Sequence, residues 1–260
     1  MAMSVFERAL RHDRALVATM LLMVVALSWA YLLAGAGAML GMEEGEGGMA
    51  MTLTSWTPAH ALLMLLMWVV MMVAMMLPGA APMLLLFTAI GRARHSPGWR
   101  MVASGMFVLG YIAIWSAFSL AAVALQFAME KAALLSPMMQ TTSTALAGAV
   151  LIAAGVYQWT PLKHACLRYC RSPLEFVLTH WREGLRGAFA MGFRHGIYCL
   201  GCCWALMLLL FVGGVMNLAW IAGLALLVLI EKLAPAGYWI GRVTGAGLVI
   251  WGIAVLLTIR

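Results

Sequence analysis

The sequence predicts an all-α fold: a polytopic transmembrane helical bundle of about seven spans with its N-terminus inside. Three observations carry this. Hydrophobic residues make up 65% of the chain and charged residues only 10%, against about 25% charged in soluble domains, too few to cover a water-facing surface. The apolar runs are continuous and roughly 20 residues long, helix length for a ~30 Å hydrocarbon core, and lack the alternation of barrel strands. Finally, the sixteen Lys and Arg segregate by side. With seven spans, fourteen fall inside and only Lys131 and Arg260 outside, as the positive-inside rule requires. The chain is read as one transmembrane domain in a bacterial inner membrane.

The first run, about 15–40, follows Arg8, Arg11 and Arg14. Its Ala-Gly-Ala-Gly-Ala stretch at 34–38 looks like a signal-peptidase site, but the run is long for a signal peptide and reads as an uncleaved anchor. The next loop carries Glu43, Glu44 and Glu46, read as a solvated turn. The second run, about 57–90, contains Pro78 and Pro82, which remove helix hydrogen bonds and predict a kink or break. Arg92, Arg94 and Arg100 precede the third run, about 101–129. The fourth covers about 141–160. A polar stretch at 161–187 is expected as a cytoplasmic Cys/Arg loop. The fifth run covers about 188–212, the sixth, a short one, about 218–230, and the last about 236–258. Small-residue faces at Gly241, Gly245 and Gly247 permit close helix packing.

The net charge of +7 is assigned to topology, so no nucleic-acid partner is expected. No phosphate-binding loop, nucleophile elbow or His-Glu-x-x-His motif is present, and nothing points to ATP hydrolysis or proteolysis.

The chemistry concentrates on sulfur and imidazole. His195, Cys199, Cys203 and Met207 recur every fourth residue in the fifth run, with Cys202 three from Cys199, so they share one helix face. Thiolate, thioether and imidazole together suit Cu(I), and thiolate with imidazole also suits zinc. Gly196 and Gly201 keep that face slim enough for a neighbour. The simpler reading is that cysteine packs as a small hydrophobe; three within five residues, with a histidine one turn away, favour ligands.

A second group, His164, Cys166 and Cys170, lies in the 161–187 segment, expected at the same membrane face as the first. Lys163, Arg168 and Arg171 stand beside these thiols in sequence and are expected to favour thiolates. A cytosolic setting disfavours disulfides, so free thiols are expected. The third group is a methionine stripe. His60, Met64, Met67, Met71 and Met75 are spaced four, three, four and four, one face of the second run, with Met72 and Met76 beside it. It reads either as a thioether relay or as plain apolar packing. Glu231 and Lys232, near a span end, are expected to snorkel to the interface.

Three blocks carry a resemblance: Met71–Pro78 with Pro82 and Met83, Tyr157–Pro173, and His195–Trp204. Together they resemble a bacterial family of predicted metal-binding integral membrane proteins, a domain family of unknown function. The resemblance implies a multi-span fold and a bound metal, and no reaction. The expected function is binding or trafficking of a soft metal, copper before zinc, with a soluble metal carrier or a metalloenzyme under assembly as partner. An enzymatic role is not favoured. The alternatives are a haem or quinone redox subunit, poorly supplied with axial histidines because His60 and His195 lie towards opposite faces, or an assembly subunit with incidental thiols.

Overall fold

The computed structural model describes residues 5–43, 56–90, 96–136 and 139–258. The acidic loop after Glu43, together with Arg92, Arg94 and Arg260, lies outside the described residues. Ten helices follow in order: α1 Val5–Glu43, α2 Pro58–Ile90, α3 Pro97–Lys131, α4 Thr144–Tyr157, α5 Pro161–Arg171, α6 Pro173–His180, α7 Gly184–Leu208, α8 Leu210–Gly213, α9 Leu218–Leu233 and α10 Gly237–Leu257. The fold is an all-helical bundle. Five helical stretches are long and apolar enough to cross a membrane, and six if α4 and α5, bent by 64°, are one broken span. At 16 residues, about 24 Å, α9 is shorter than a typical span.

Local chemistry accounts for the boundaries. Pro97, Pro161 and Pro173 each sit at the start of a helix, where a missing N–H costs nothing. Ser143, Thr160 and Asn217 cap α4, α5 and α9 by accepting from Leu146 N, Lys163 N and Trp220 N. Gly214, at φ +93°, turns the chain between α8 and α9, a conformation glycine adopts freely. In α2 the expected break is absent: one helix runs through Pro78 and Pro82. The surrounding packing is dense, since Met72, Met75, Met76 and Met83 are all buried, and this supports a continuous helix through the two prolines.

The most buried span is α7, with 61% of its apolar window covered against 22% for α1 and α10. It runs parallel to α3, and glycines set the spacing. Gly192 packs on the Phe107 carbonyl, Gly110 on the Phe189 carbonyl, and Gly196 on Ile114, so closely that a Cβ at any of them has no room. In the same way α4 and α10 meet through Gly148 with Gly252 and Gly155 with Gly245. The small-residue face of α10 therefore packs within the chain, while Gly247 faces open space.

The 161–187 segment, expected as a loop, folds mainly into α5 and α6, whose inner faces pack into the bundle: Lys163, Cys166, Leu167, Cys170, Phe176 and Val177 are all buried. A strongly amphipathic 11-residue helix explains the difference, with Arg168 on the outer face and Lys163 the one charged residue turned inward. Three shorter helices end or begin at one level beside the middle of α7. Tyr157, the last residue of α4, donates to the Gly201 carbonyl at 2.5 Å. Lys232, near the end of α9, reaches Cys199, and Gly241 in the first turns of α10 faces the Glu231 carboxylate, which a Cβ there would meet at 3.5 Å.

Candidate metal centre

All five cysteines are free and buried. On α7, Cys199, Cys202 and Cys203 lie on the face turned inward, and the thiols of Cys202 and Cys203 donate back to the Cys199 carbonyl at 3.1 and 3.0 Å. From α5, Cys170 brings its sulfur to 4.0 Å from Cys202 Sγ. A metal bonded to both at about 2.3 Å would subtend an S–M–S angle of about 120°, an open geometry with room for a third donor. From α2, Met76 sets its thioether 3.8 Å from Cys203 Sγ. From α3, Tyr111 hydrogen-bonds to the Met76 carbonyl at 3.0 Å and lies 3.0 Å from Cys199 Sγ. From α9, Lys232 places its ammonium 2.9 Å from the same sulfur.

The remaining expected residues divide. Cys166 rests its sulfur on the Cα of Gly201, where a Cβ would stand 2.6 Å from it. His195, one turn before Cys199, is buried in an aromatic cage of Phe107, Tyr111 and Phe176, and its Nδ1 has no partner among the described residues. Met207 is fully buried one turn beyond Cys203. His164 is on another side of α5, its ring tilted against Tyr238 of α10 at 4.6 Å, because a step of two positions from Cys166 turns it away from the thiols. His60 meets Trp56 edge to face at 5.3 Å, a setting separate from that of His195. Met67, Met71 and Met75 are buried along α2. Met64, Met67 and Met71, with Met216 from the α8–α9 turn, line a cavity of about 250 Å³. Among the described residues, no three His, Cys, Asp or Glu side chains form a ready-made metal cage; the sulfurs stand as close pairs, with Tyr111 and Lys232 among them.

The charged residues differ from expectation. Lys232 and Glu231 do not snorkel: both are buried. Glu231 pairs with Lys163 at 2.6 Å, and Gln158 hydrogen-bonds to both. Arg168 pairs with Glu175 on the surface, and Arg171 donates to the carbonyls of Glu231 and Pro235. The cation facing the thiols is therefore Lys232, about thirty positions from any cysteine, and none of the three that are neighbours in sequence. Lys232, Tyr111 and Met76 were not singled out as site residues. One signal was available for Lys232, since an ionisable pair at the end of an apolar run is a functional-site pointer in its own right.

The profile of a protein family described as PpoB2, copper chaperone, matches residues 65–255, the region that contains every sulfur of this cluster. The chain belongs to the PpoB2 copper chaperone family. No curated protein and no solved structure matches it. The donor set agrees with the metal in the family's description: buried cysteine sulfurs with an adjacent thioether suit a soft ion, and hard ligands are absent from the cluster apart from the Tyr111 hydroxyl. Membership supports copper-related function for the PpoB2 chain and leaves the ligands to be read from its own geometry.

Proposed function

We propose that this PpoB2 chain is a multi-pass inner-membrane protein that carries Cu(I) as cargo. The ion is held by sulfurs drawn from Cys170, Cys199 and Cys202 and passed to a soluble carrier or an apo-metalloenzyme. The observation that carries this reading is the meeting of Cys170 on α5 with Cys202 on α7 at 4.0 Å, from positions 32 residues apart. Packing alone has no need to pair thiols across two helices. Cys203 with Met76, Cys166 and the partnerless His195 surround that pair as further donors.

Counting α4–α5 and α9 as crossings gives seven, with the N-terminus inside and the 14:2 charge distribution. The shorter helices then set the bilayer thickness. The 21 residues of α10 span about 31 Å, and its first turns present exposed Tyr238 and Trp239 with Arg242 over both rings, as expected at an interface. This level is that of the sulfur cluster, so the site lies at the inner boundary, beneath α5 and α6. The long helices α2, α3 and α7 project past it towards the cytosol. In this frame His60, Met64, Met67, Met71 and Met75 descend the membrane along α2 and end at Met76 and Cys203, a thioether path for Cu(I), with the methionine-lined cavity in its outer half.

The test is metal content. Protein purified in detergent and loaded with Cu(I) under reducing conditions is expected to hold copper, and the combined Cys170→Ser and Cys202→Ser variant to hold none above background. Equal copper in both samples removes this site.

A further inference from the structure

Resting on the copper reading above, we infer that Lys232 is the counter-charge that makes this site select a monovalent metal ion, and so is its specificity-determining residue. The argument is a charge count in a closed space. Lys232 is 4% exposed. Its stem lies against Gly79 of α2, where a Cβ would stand 3.0 Å from Lys232 Cδ, so the side chain is held in one channel. Its neighbour Glu231 is engaged by Lys163 at 2.6 Å, and among the described residues no carboxylate pairs with Lys232. Its polar contact is Cys199 Sγ at 2.9 Å. A buried ammonium is tolerated only when it is paired and hydrogen-bonded, so the sulfur cluster must supply one net negative charge.

A monovalent ion meets this condition with two thiolates. With one thiolate already balancing Lys232, Cu(I) displaces one further thiol proton, keeps its oxidation state, and forms a dithiolate complex of charge −1 that Lys232 neutralises. The third sulfur of Cys170, Cys199 and Cys202 remains a thiol. A divalent ion with two thiolates is neutral and leaves the ammonium unbalanced, and a third thiolate is needed to restore the balance. Among the described residues no three of these side chains are spaced as a ready-made metal cage, so a third thiolate donor is not already in place for a divalent ion. The fixed charge therefore favours Cu(I) over Zn(II), whose chemistry the thiols alone would also accept.

The experiment is competition of detergent-purified, metal-free protein against a chromophoric chelator, separately for Cu(I) under reductant and for Zn(II). Lys232→Leu keeps an apolar stem in the channel, removes the charge and adds no donor atom. It is expected to weaken Cu(I) by roughly a hundredfold, the scale of losing one partner of a buried charge pair, while Zn(II) affinity holds or rises. Lys232→Arg is expected to retain most of the Cu(I) preference. A folded Lys232→Leu protein with an unchanged Cu(I):Zn(II) affinity ratio overturns the inference. Wild-type protein that binds no Cu(I) instead overturns the copper reading beneath it. X-ray absorption of the Cu(I)-loaded wild type decides the point even if the variant does not fold: two short sulfur neighbours per copper are expected, and three equivalent short ones overturn the charge count.

Discussion

Glu231 and Lys232 are adjacent in the last turn of α9, equally buried, and built into opposite kinds of environment. Glu231 closes a complete network: Lys163 gives the charge, Gln158 a hydrogen bond, and Arg171 takes the adjoining carbonyl. Lys232 faces sulfurs with no carboxylate. The first arrangement is finished without any further component and joins α5, α9 and the end of α4. The second sets an ammonium against thiols, whose protons a metal ion can displace. Two charges side by side in one helix thus separate a structural cluster from a receptive one, and the difference lies in whether the partner's charge is fixed in advance or arrives with a ligand.

Four perturbations break or sharpen that contrast. Glu231→Gln strands the Lys163 ammonium, and breaking a buried pair costs about 3–5 kcal/mol; the outcome is a large fall in the thermal midpoint in detergent, whether or not copper is present. Gly192→Ala forces a methyl against the Phe107 carbonyl and is expected to cost about 1–3 kcal/mol as overpacking, read as a lower midpoint with the Cu(I)-binding stoichiometry of the folded fraction unchanged. Met76→Leu conserves volume, so its stability cost is expected below about 1.5 kcal/mol; the measurable change is slower Cu(I) loading in stopped-flow chelator competition, because the thioether beside Cys203 is gone. The smallest effect is expected for His60→Ala at the far end of α2: stability within about 0.5 kcal/mol, and a reduced rate of Cu(I) uptake only when protein in sealed vesicles is loaded from the side that His60 faces. If Glu231→Gln lost copper without losing stability, the division between the two clusters would not hold.

Much of the site was legible in the sequence, and its gaps have a common origin. The stripe from His195 to Met207 was readable because helical periodicity is a local property: residues three and four apart share a face whatever surrounds them. Cys166 and Cys170 were also recognisable as ligands in waiting. Their segment was misread as a loop because its polar residues outweigh its apolar ones on average, although Leu167 and both thiols occupy one buried face of α5. Lys163 was associated with those thiols by proximity in sequence; in the fold it turns to Glu231 instead. No periodicity links Tyr111, Met76 and Lys232 to Cys199, since they come from three other helices.

The sequence by itself determined an all-helical chain fit for a bilayer, the prominence of soft donors, and which of them share a helix face. These follow from composition and from the 3.6-residue repeat, which act within a single segment. Tertiary structure alone decided that α5 folds in to set Cys170 against Cys202, that α2 offers Met76, and that Lys232 rather than Glu231 faces the thiols. Those outcomes depend on which helices pack together and at what depth. Glycine contacts along α3–α7 and α4–α10, and the cost of burying a charge without its partner, fix that packing, and neither is a property of any one segment read alone.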